Sequence, residues 1–231
     1  MSLPIFFQEE FSKESIFVLN EETSKYVIQV LRMKNGEQLQ LTNGKGKIIT
    51  AEIITEHKKS TEIKVLSTTN IAPRTSNITI AISLIKNTNR FEWFLEKATE
   101  IGVSEIIPII CERTEKQNFR HGRMKNILVS AMLQSQQAWL PLLHQPTKFS
   151  EAIKNSSQQK KYIAHCIEEE KKELSNETND RSSIILIGPE GDFTKPEIDL
   201  AVANNFIPVS LGNTRLRTET AGMVAAVLLS R

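Results

Sequence analysis

The chain has 231 residues, 39% hydrophobic and 24% charged, with a net charge of +2; this suits one large domain or a small domain joined to a medium one. It has no apolar run of the about 18 residues that a membrane helix needs, and its start, MSLPIFFQEEF, lacks a basic leader, so neither a span nor a signal peptide is expected. The two cysteines, Cys111 and Cys166, have no metal-type spacing, which argues against a disulfide framework or metal site and for a reducing, cytoplasmic setting.

The first 70 or so residues read as β. VIQVLRM (27–33), EQLQLTN (37–43), KIITAEIITEH (47–57) and TEIKVLST (61–68) are β-branched runs, separated by turn signals at Asn35-Gly36 and Asn43-Gly44-Lys45-Gly46. Four or five short strands in so short a stretch predict a small barrel over 1–72. Ala72-Pro73-Arg74-Thr75-Ser76-Asn77 is polar and contains a proline, which marks a linker.

From residue 73 strands and helices alternate. ITIAISLI (78–85) is nearly continuously apolar, as in a sheet buried on both faces. Thr88 or Asn89 can cap a helix over FEWFLEKATEI, with Phe91, Phe94, Leu95, Ala98 and Ile101 on one face and Gly102 at the C-terminal glycine position. EIIPIIC (105–111) is the next strand, and a helix follows from roughly His121 to Trp139. From Glu112 to Lys125 the chain carries Arg113, Lys116, Arg120, Arg123 and Lys125, with His121, against Glu112 and Glu115 only, a basic stretch suited to a phosphate backbone or to a solvated loop leading into the helix. KYIAHC (161–166) and SIILIG (183–188) are strands, with a charged stretch between them. Lys195–Asn204 is helical, FIPVSLG (206–212) is a strand, and Thr218–Ser230 is a final helix. The alternation predicts a mostly parallel α/β sheet.

Two segments near the C-terminus carry the chemistry. In LIGPEGDFTKPEI (186–198) a buried strand ends in Gly188-Pro189-Glu190-Gly191, and Thr194 caps a helix with Pro196 in its first turn and Glu197 three after the cap. Ligands of open α/β sheets bind at the carboxyl ends of strands, where glycines admit a close backbone. The run is neither GxGxxG nor a P-loop, so nucleotide phosphates are not implied. In SLGNTRLRTETAGMVAAVLL (210–229) a strand ends at Leu211-Gly212, Arg215 and Arg217 sit in a short loop, and Thr218-Glu219-Thr220 opens an apolar helix. The arginines suit an anion or RNA phosphate, or they are solvated neighbours of a capped helix. Lying at the ends of consecutive strands, the two segments read as one pocket.

GPEGDFTKPE and LGNTRLRTETA resemble the two C-terminal motifs of the SPOUT superfamily, specifically its 16S rRNA uridine-N3 methyltransferases, which read roughly GPEGG with a later Glu, and LG-x-R-(Ile/Val)-LRTETA. VLRMKNGEQLQLTNGKG (30–46), with Arg32 and Met33, is similar to that family's PUA-like barrel. FEWFLEKATEIGVSEIIPIICER (91–113) is similar to the segment opening its methyltransferase domain, with Lys97, Glu100, Gly102, Glu112 and Arg113 matching. The resemblance implies a PUA-like RNA-binding barrel over 1–72 and a SPOUT methyltransferase domain over 73–231, with a trefoil knot near the C-terminus. It implies S-adenosyl-L-methionine (SAM) held by Ile187, Gly188, Glu190, Gly191, Leu211, Gly212, Leu216 and Arg217, with His165 as a further candidate. The implied partners are 16S rRNA or the small ribosomal subunit and, through the last helix, a second copy in a homodimer. Arg32, Arg113, Arg120 and Arg215 are the expected RNA contacts.

Three departures from the pattern bear on the RNA contacts. Thr214 stands where the family has Arg, with Arg215 in the Ile/Val place. Ile5 precedes Phe6-Phe7 where many relatives have Arg, and QSQQAWLP (134–141) puts Ala138 or Trp139 where Arg is common.

Uracil N3 must lose its proton before it can accept a methyl group. Arg217 is assigned to the developing charge; Glu219 orients Arg217, accepts the proton through water, or serves as a helix N-terminal carboxylate. Besides the methyltransferase, two readings stay open: an RNA-binding assembly factor on the same fold without SAM affinity, and a dinucleotide oxidoreductase, against which the missing GxGxxG speaks.

Overall fold

The computed structural model describes residues 3–12, 14–74, 77–115, 117–177 and 182–230. Lys116 of the basic stretch, and Thr75 and Ser76 of the linker, lie outside them. The chain forms two compact units, Met1–Pro73 with Met132–Leu140, and Arg74–Ala131 with Pro141–Arg231.

In the first unit, β1 (Ile5–Phe7), β2 (Ile16–Val18), β3 (Gln38–Thr42), β4 (Lys47–Thr55) and β5 (Glu62–Asn70) form one sheet in the order β1-β3-β4-β5-β2. Alternation places Leu39, Leu41, Ile49, Ala51, Ile53 and Ile63 in the core. The strand expected over 27–33 is instead helical: α1 (Glu21–Lys25) runs into a π-helical turn, Tyr26–Val30. The local reason is a helix start. The Thr23 amide donates to Asn20 Oδ1 at 2.8 Å, and Glu21 and Glu22 occupy the first turn. Val27 and Met33 are buried while Val30 and Leu31 are exposed, which does not match a strand's alternation. The turn closes on Arg32 at φ 56°, a left-handed backbone uncommon outside glycine. Residues 132–140 join this unit: Leu140 N–H donates to the Gly44 carbonyl, Gly46 N–H to the Ala138 carbonyl, and Trp139 Nε1 to the Ile71 carbonyl at 3.1 Å.

In the second unit, β6 (Ile78–Ser83), β7 (Glu105–Ile110), β8 (Leu142–Leu143), β9 (Thr147–Lys148), β10 (Lys160–Ala164), β11 (Lys172–Glu173), β12 (Ser183–Ile187) and β13 (Ile207–Ser210) form one sheet in the order β11-β13-β10-β12-β6-β7-β8, with β9 also on β7. The pairings are parallel. β6 and β12 are buried at every position, as their apolar runs predict. The helices are α2 (Thr88–Ile101), α3 (His121–Gln134), α4 (Phe149–Lys154), α5 (Lys195–Ala203) and α6 (Thr218–Leu229).

The cap of α2 is Asn87, not Thr88 or Asn89: its Oδ1 accepts the Asn89 amide at 3.0 Å, while Gly102 ends the helix in the left-handed region as expected. α3 stops at Gln134 rather than near Trp139. Gln136 turns left-handed at φ 55° and the Gln137 amide folds back to the Met132 carbonyl, which ends the helical run. After β13 the chain returns across the sheet, and α6 packs on α2, β6 and β12. Gly222 permits this close approach, because a Cβ there would sit 2.7 Å from the Phe94 ring and 2.9 Å from Ile82.

Candidate active site

Parallel pairing brings the carboxyl ends of β13, β10 and β12, neighbours in the sheet, to one edge. Three loops leave that edge: His165-Cys166 after β10, Gly188–Asp192 after β12, and Leu211–Arg217 after β13. Two cavities open among them. The first, about 450 Å³, is lined by His165, Lys171, Leu211, Gly212, Arg215 and Leu216, among others. The second, about 370 Å³, is lined by Ile187, Gly188, Glu190, Arg217, Glu219 and Arg90, among others. They share Ala164, Cys166, Arg215, Leu216 and Ala221, so only the Arg215-Leu216 segment and its supports separate them. The two C-terminal segments singled out in the sequence therefore do meet.

The loops are held from below by directed hydrogen bonds. Glu190 Oε1 accepts the Lys86 amide at 2.9 Å, tying the β12 loop to the end of β6. Asp192 has a left-handed backbone, φ 64°. Its Oδ2 accepts the Cys166 amide at 2.7 Å and its Oδ1 the Phe193 amide at 2.8 Å, joining the ends of β10 and β12. Arg113 Nη1 donates to the Gly191 carbonyl at 2.7 Å. The capping pattern read from the sequence at Thr194 forms, with its amide donating to Glu197 Oε2 at 2.9 Å. Glu112 extends it: its amide donates to Glu197 Oε1, and its Oε2 accepts from Thr194 Oγ1. Glu112 and Arg113 thus brace the loops around Gly191 and Thr194 from the end of β7.

His165 is 7% exposed, and neither ring nitrogen has a hydrogen-bond partner among the described residues. Burial, and then the neighbouring Lys171 ammonium, hold its pKa below the ordinary histidine value, so it is a neutral ring facing a cavity. Burial, and then the Asp192 carboxylate, push the Cys166 thiol up, which disfavours a thiolate nucleophile. Gly212 has φ 125°, unsuited to a side chain, and nothing lies within 4 Å of where its Cβ would stand.

The expected residues divide between the two cavities. His165, Leu211 and Gly212 line the first; Ile187, Gly188, Glu190 and Arg217 line the second, and Leu216 lines both. Gly191 lines neither and is braced by Arg113. Arg215, expected at RNA, stands on the shared wall. Arg120 lies apart from both, in a polar cavity of about 210 Å³ with Thr88, Asn89, Glu92 and Arg123. The basic stretch is partly engaged, since Arg123 makes a two-pronged pair with Glu92 at 2.6 and 2.9 Å. Arg32 is exposed in the first unit. Glu219 is 7% exposed, and its ion pair is with Arg90 Nε at 3.6 Å rather than with Arg217.

Sequence reasoning missed Arg90, Lys171 and Asp192. Asp192 carried a signal, because it occupies a turn position where the resembling motif has glycine. Arg90 carried none.

The profile of an RNA methyltransferase domain matches residues 72–230, and that of an RNA methyltransferase PUA domain matches residues 19–66. The fold and its loops are thus those of an RNA methyltransferase. A curated relative from Synechocystis, ribosomal RNA small subunit methyltransferase E, is 30% identical over 221 residues, covering 92% of this chain and 72% of that protein. A solved structure from Porphyromonas gingivalis is 36% identical, with a TM-score of 0.91 over 97% of this chain and 95% of that one. A ribosomal RNA small subunit methyltransferase E from Neisseria gonorrhoeae, solved bound to S-adenosyl methionine, is 29% identical with a TM-score of 0.86, covering 97% and 95%. The chain belongs to the ribosomal RNA small subunit methyltransferase E family of PUA-containing RNA methyltransferases.

Proposed function

We propose that this protein transfers the methyl group of SAM to N3 of a uridine in 16S rRNA of the small ribosomal subunit, in the cytoplasm. The observation that carries this reading is the pair of cavities sharing the Arg215-Leu216 wall, one for a methyl donor and one for an acceptor. The cofactor is SAM, as in the Neisseria relative. The residues present suit it: Gly212 leaves open space at a backbone turn, and His165 offers two unpartnered ring nitrogens. Leu211, Gly212, Leu216 and His165 hold it in the first cavity; Ile187, Gly188, Glu190 and Arg217 stand in the second, where the methyl group is delivered, with Gly191 in the loop behind them. SAM supplies an electrophilic methyl group; the protein supplies position and field.

The second cavity suits an acceptor that develops negative charge. Its carboxylates are all engaged within the protein: Glu190 with the Lys86 amide, Asp192 with two amides, Glu219 with Arg90. The side chains of Arg215 and Arg217 make no hydrogen bond or ion pair among the described residues, so their guanidinium groups are available to a ligand. The N3 proton passes to water, and its loss spreads charge over the uracil oxygens. Arg217, at the N-cap of α6, donates to it, while Glu219, the other catalytic candidate, is held by Arg90 at the rim of the same cavity. The target base is unpaired or flipped so that N3 is reachable.

Around this chemistry, residues 1–72 form an RNA-binding, PUA-like β-barrel domain contacting phosphates through Arg32, and residues 73–231 form the SPOUT domain, assisted by Arg113, Arg120 and Arg215. Roughly the last 50 residues form the trefoil knot, a topology that ordinary folds avoid; the pairing of β13 with β10 and the return of α6 to α2 support it. The half-buried Met223, Val224, Val227 and Leu228 of α6 support a homodimer through that helix.

Mass spectrometry of 16S rRNA from a strain lacking the gene tests the reading. One 3-methyluridine present in the parent disappears from the deletion strain. An unchanged set of modifications contradicts it.

A further inference from the structure

Glu219 is a carboxylate 7% exposed, in the first turn of α6. An ionised carboxylate so placed is costly unless paired. Its ion pair among the described residues comes from Arg90, the third residue of α2, with Nε 3.6 Å from Glu219 Oε1. Arg90 is badly placed for its own helix, because the N-terminal turn carries partial positive charge and favours acids there. α2 has no acid in that turn to offset it. The Arg90 side chain is nonetheless 43% exposed and lines the second cavity together with Arg215 and Arg217. Nε of the guanidinium meets Glu219, and among the described residues its terminal nitrogens make no hydrogen bond.

We propose that Arg90 is an RNA-binding residue of the acceptor cavity, that it contacts a phosphate flanking the target nucleotide, and that Glu219 holds it in place. This rests on the RNA methyltransferase reading and deepens it, giving Glu219 a positioning role through Arg90. A phosphate is favoured over the base because Arg90 is exposed and stands on α2, apart from Arg217, the residue assigned to the base at the N-cap of α6. The carboxylate of SAM would present similar chemistry, so the experiment separates the two sources.

Full-length wild type, Arg90→Ala, Arg90→Lys and Arg90→Ala/Glu219→Gln are compared for SAM affinity, thermal melting, and binding and methylation of transcribed 16S rRNA over a salt series. Arg90→Ala flattens the slope of log K against log salt by about 0.7, the loss of one single-strand phosphate contact. It raises the KM for RNA roughly tenfold, changes kcat at saturating RNA by less than about twofold and leaves SAM affinity intact. Arg90→Lys recovers the slope, because an ammonium keeps a phosphate contact. If Arg90→Ala melts early because Glu219 is left unpaired, the double variant recovers the melting temperature but not the slope, so the RNA contact is read apart from folding. A wild-type slope in folded Arg90→Ala, or a loss of SAM affinity with RNA binding unchanged, overturns the proposal while leaving the methyltransferase reading standing. A wild-type protein that neither binds nor methylates 16S rRNA overturns both.

Discussion

The two units use the β-sheet in opposite ways. In the first, an antiparallel ladder from β3 to β5 alternates between a packed and a wetter face, with β2 added to it antiparallel and β1 parallel. Its unusual backbone is local: a π-helical turn leading into the left-handed, exposed Arg32. In the second, a parallel sheet buried on both faces contributes almost no side chain to the cavities from its strand centres. The cavities are built by the loops past the strand ends: Gly188, Asp192, Gly212 and Arg217 all lie beyond the carboxyl ends. Among the described residues the first unit offers an exposed cation, whereas the second offers enclosed volume with fixed donors. Strained backbone tends to persist where surrounding structure over-determines it, and here it marks both an exposed cation and a cavity wall.

If the second unit holds the chemistry, the largest effect comes from its most permissive backbone position. Gly212→Val puts a β-branched residue at φ 125° and fills open space in the first cavity. SAM binding by calorimetry should fall at least about 100-fold, while the buried sheet keeps its far-UV spectrum. Unchanged affinity would move the cofactor to other residues.

Next in size is the division of labour between the two arginines. Arg217→Lys keeps charge but loses the planar fork, and should fold, bind SAM and lose methyl transfer at saturating RNA by on the order of tenfold. Arg215→Ala, on the shared wall, should mainly raise the KM for RNA. A wild-type rate in Arg217→Lys with a dead Arg215→Ala would exchange their roles.

The smallest effect belongs to the first unit. Arg32→Ala should weaken RNA binding by a few-fold, flatten the salt slope by about 0.7 and leave SAM affinity untouched. A change in kcat without a change in the slope would give this unit a part in the chemistry and break the contrast.

The same contrast decides what could be read from the sequence. The strands of the second unit were legible because burial on both faces leaves continuous apolar runs, as in ITIAIS and SIILI. Gly102, Thr194 and Glu197 announced helix ends by local chemistry alone. In the first unit, VIQVLRM misled, because a β-branched run has the composition of a strand while Asn20 upstream had already started a helix. At the site, the loop residues stood out as glycines and arginines beside turns. Arg90 and Lys171 did not, because an ordinary cation in a helix or loop becomes a site residue only when a distant segment is folded against it. The role of Glu219 was open for the same reason: its partner lies on another helix.

The central claim is tested most directly by reconstitution. Purified protein is incubated with 16S rRNA from the deletion strain and SAM carrying an isotopically labelled methyl group, and the digested nucleosides are separated by mass spectrometry. The account predicts label in 3-methyluridine, close to one per rRNA molecule, and none when Arg217 is replaced by Ala. Label in another nucleoside, or no label from a protein that binds SAM, would contradict it.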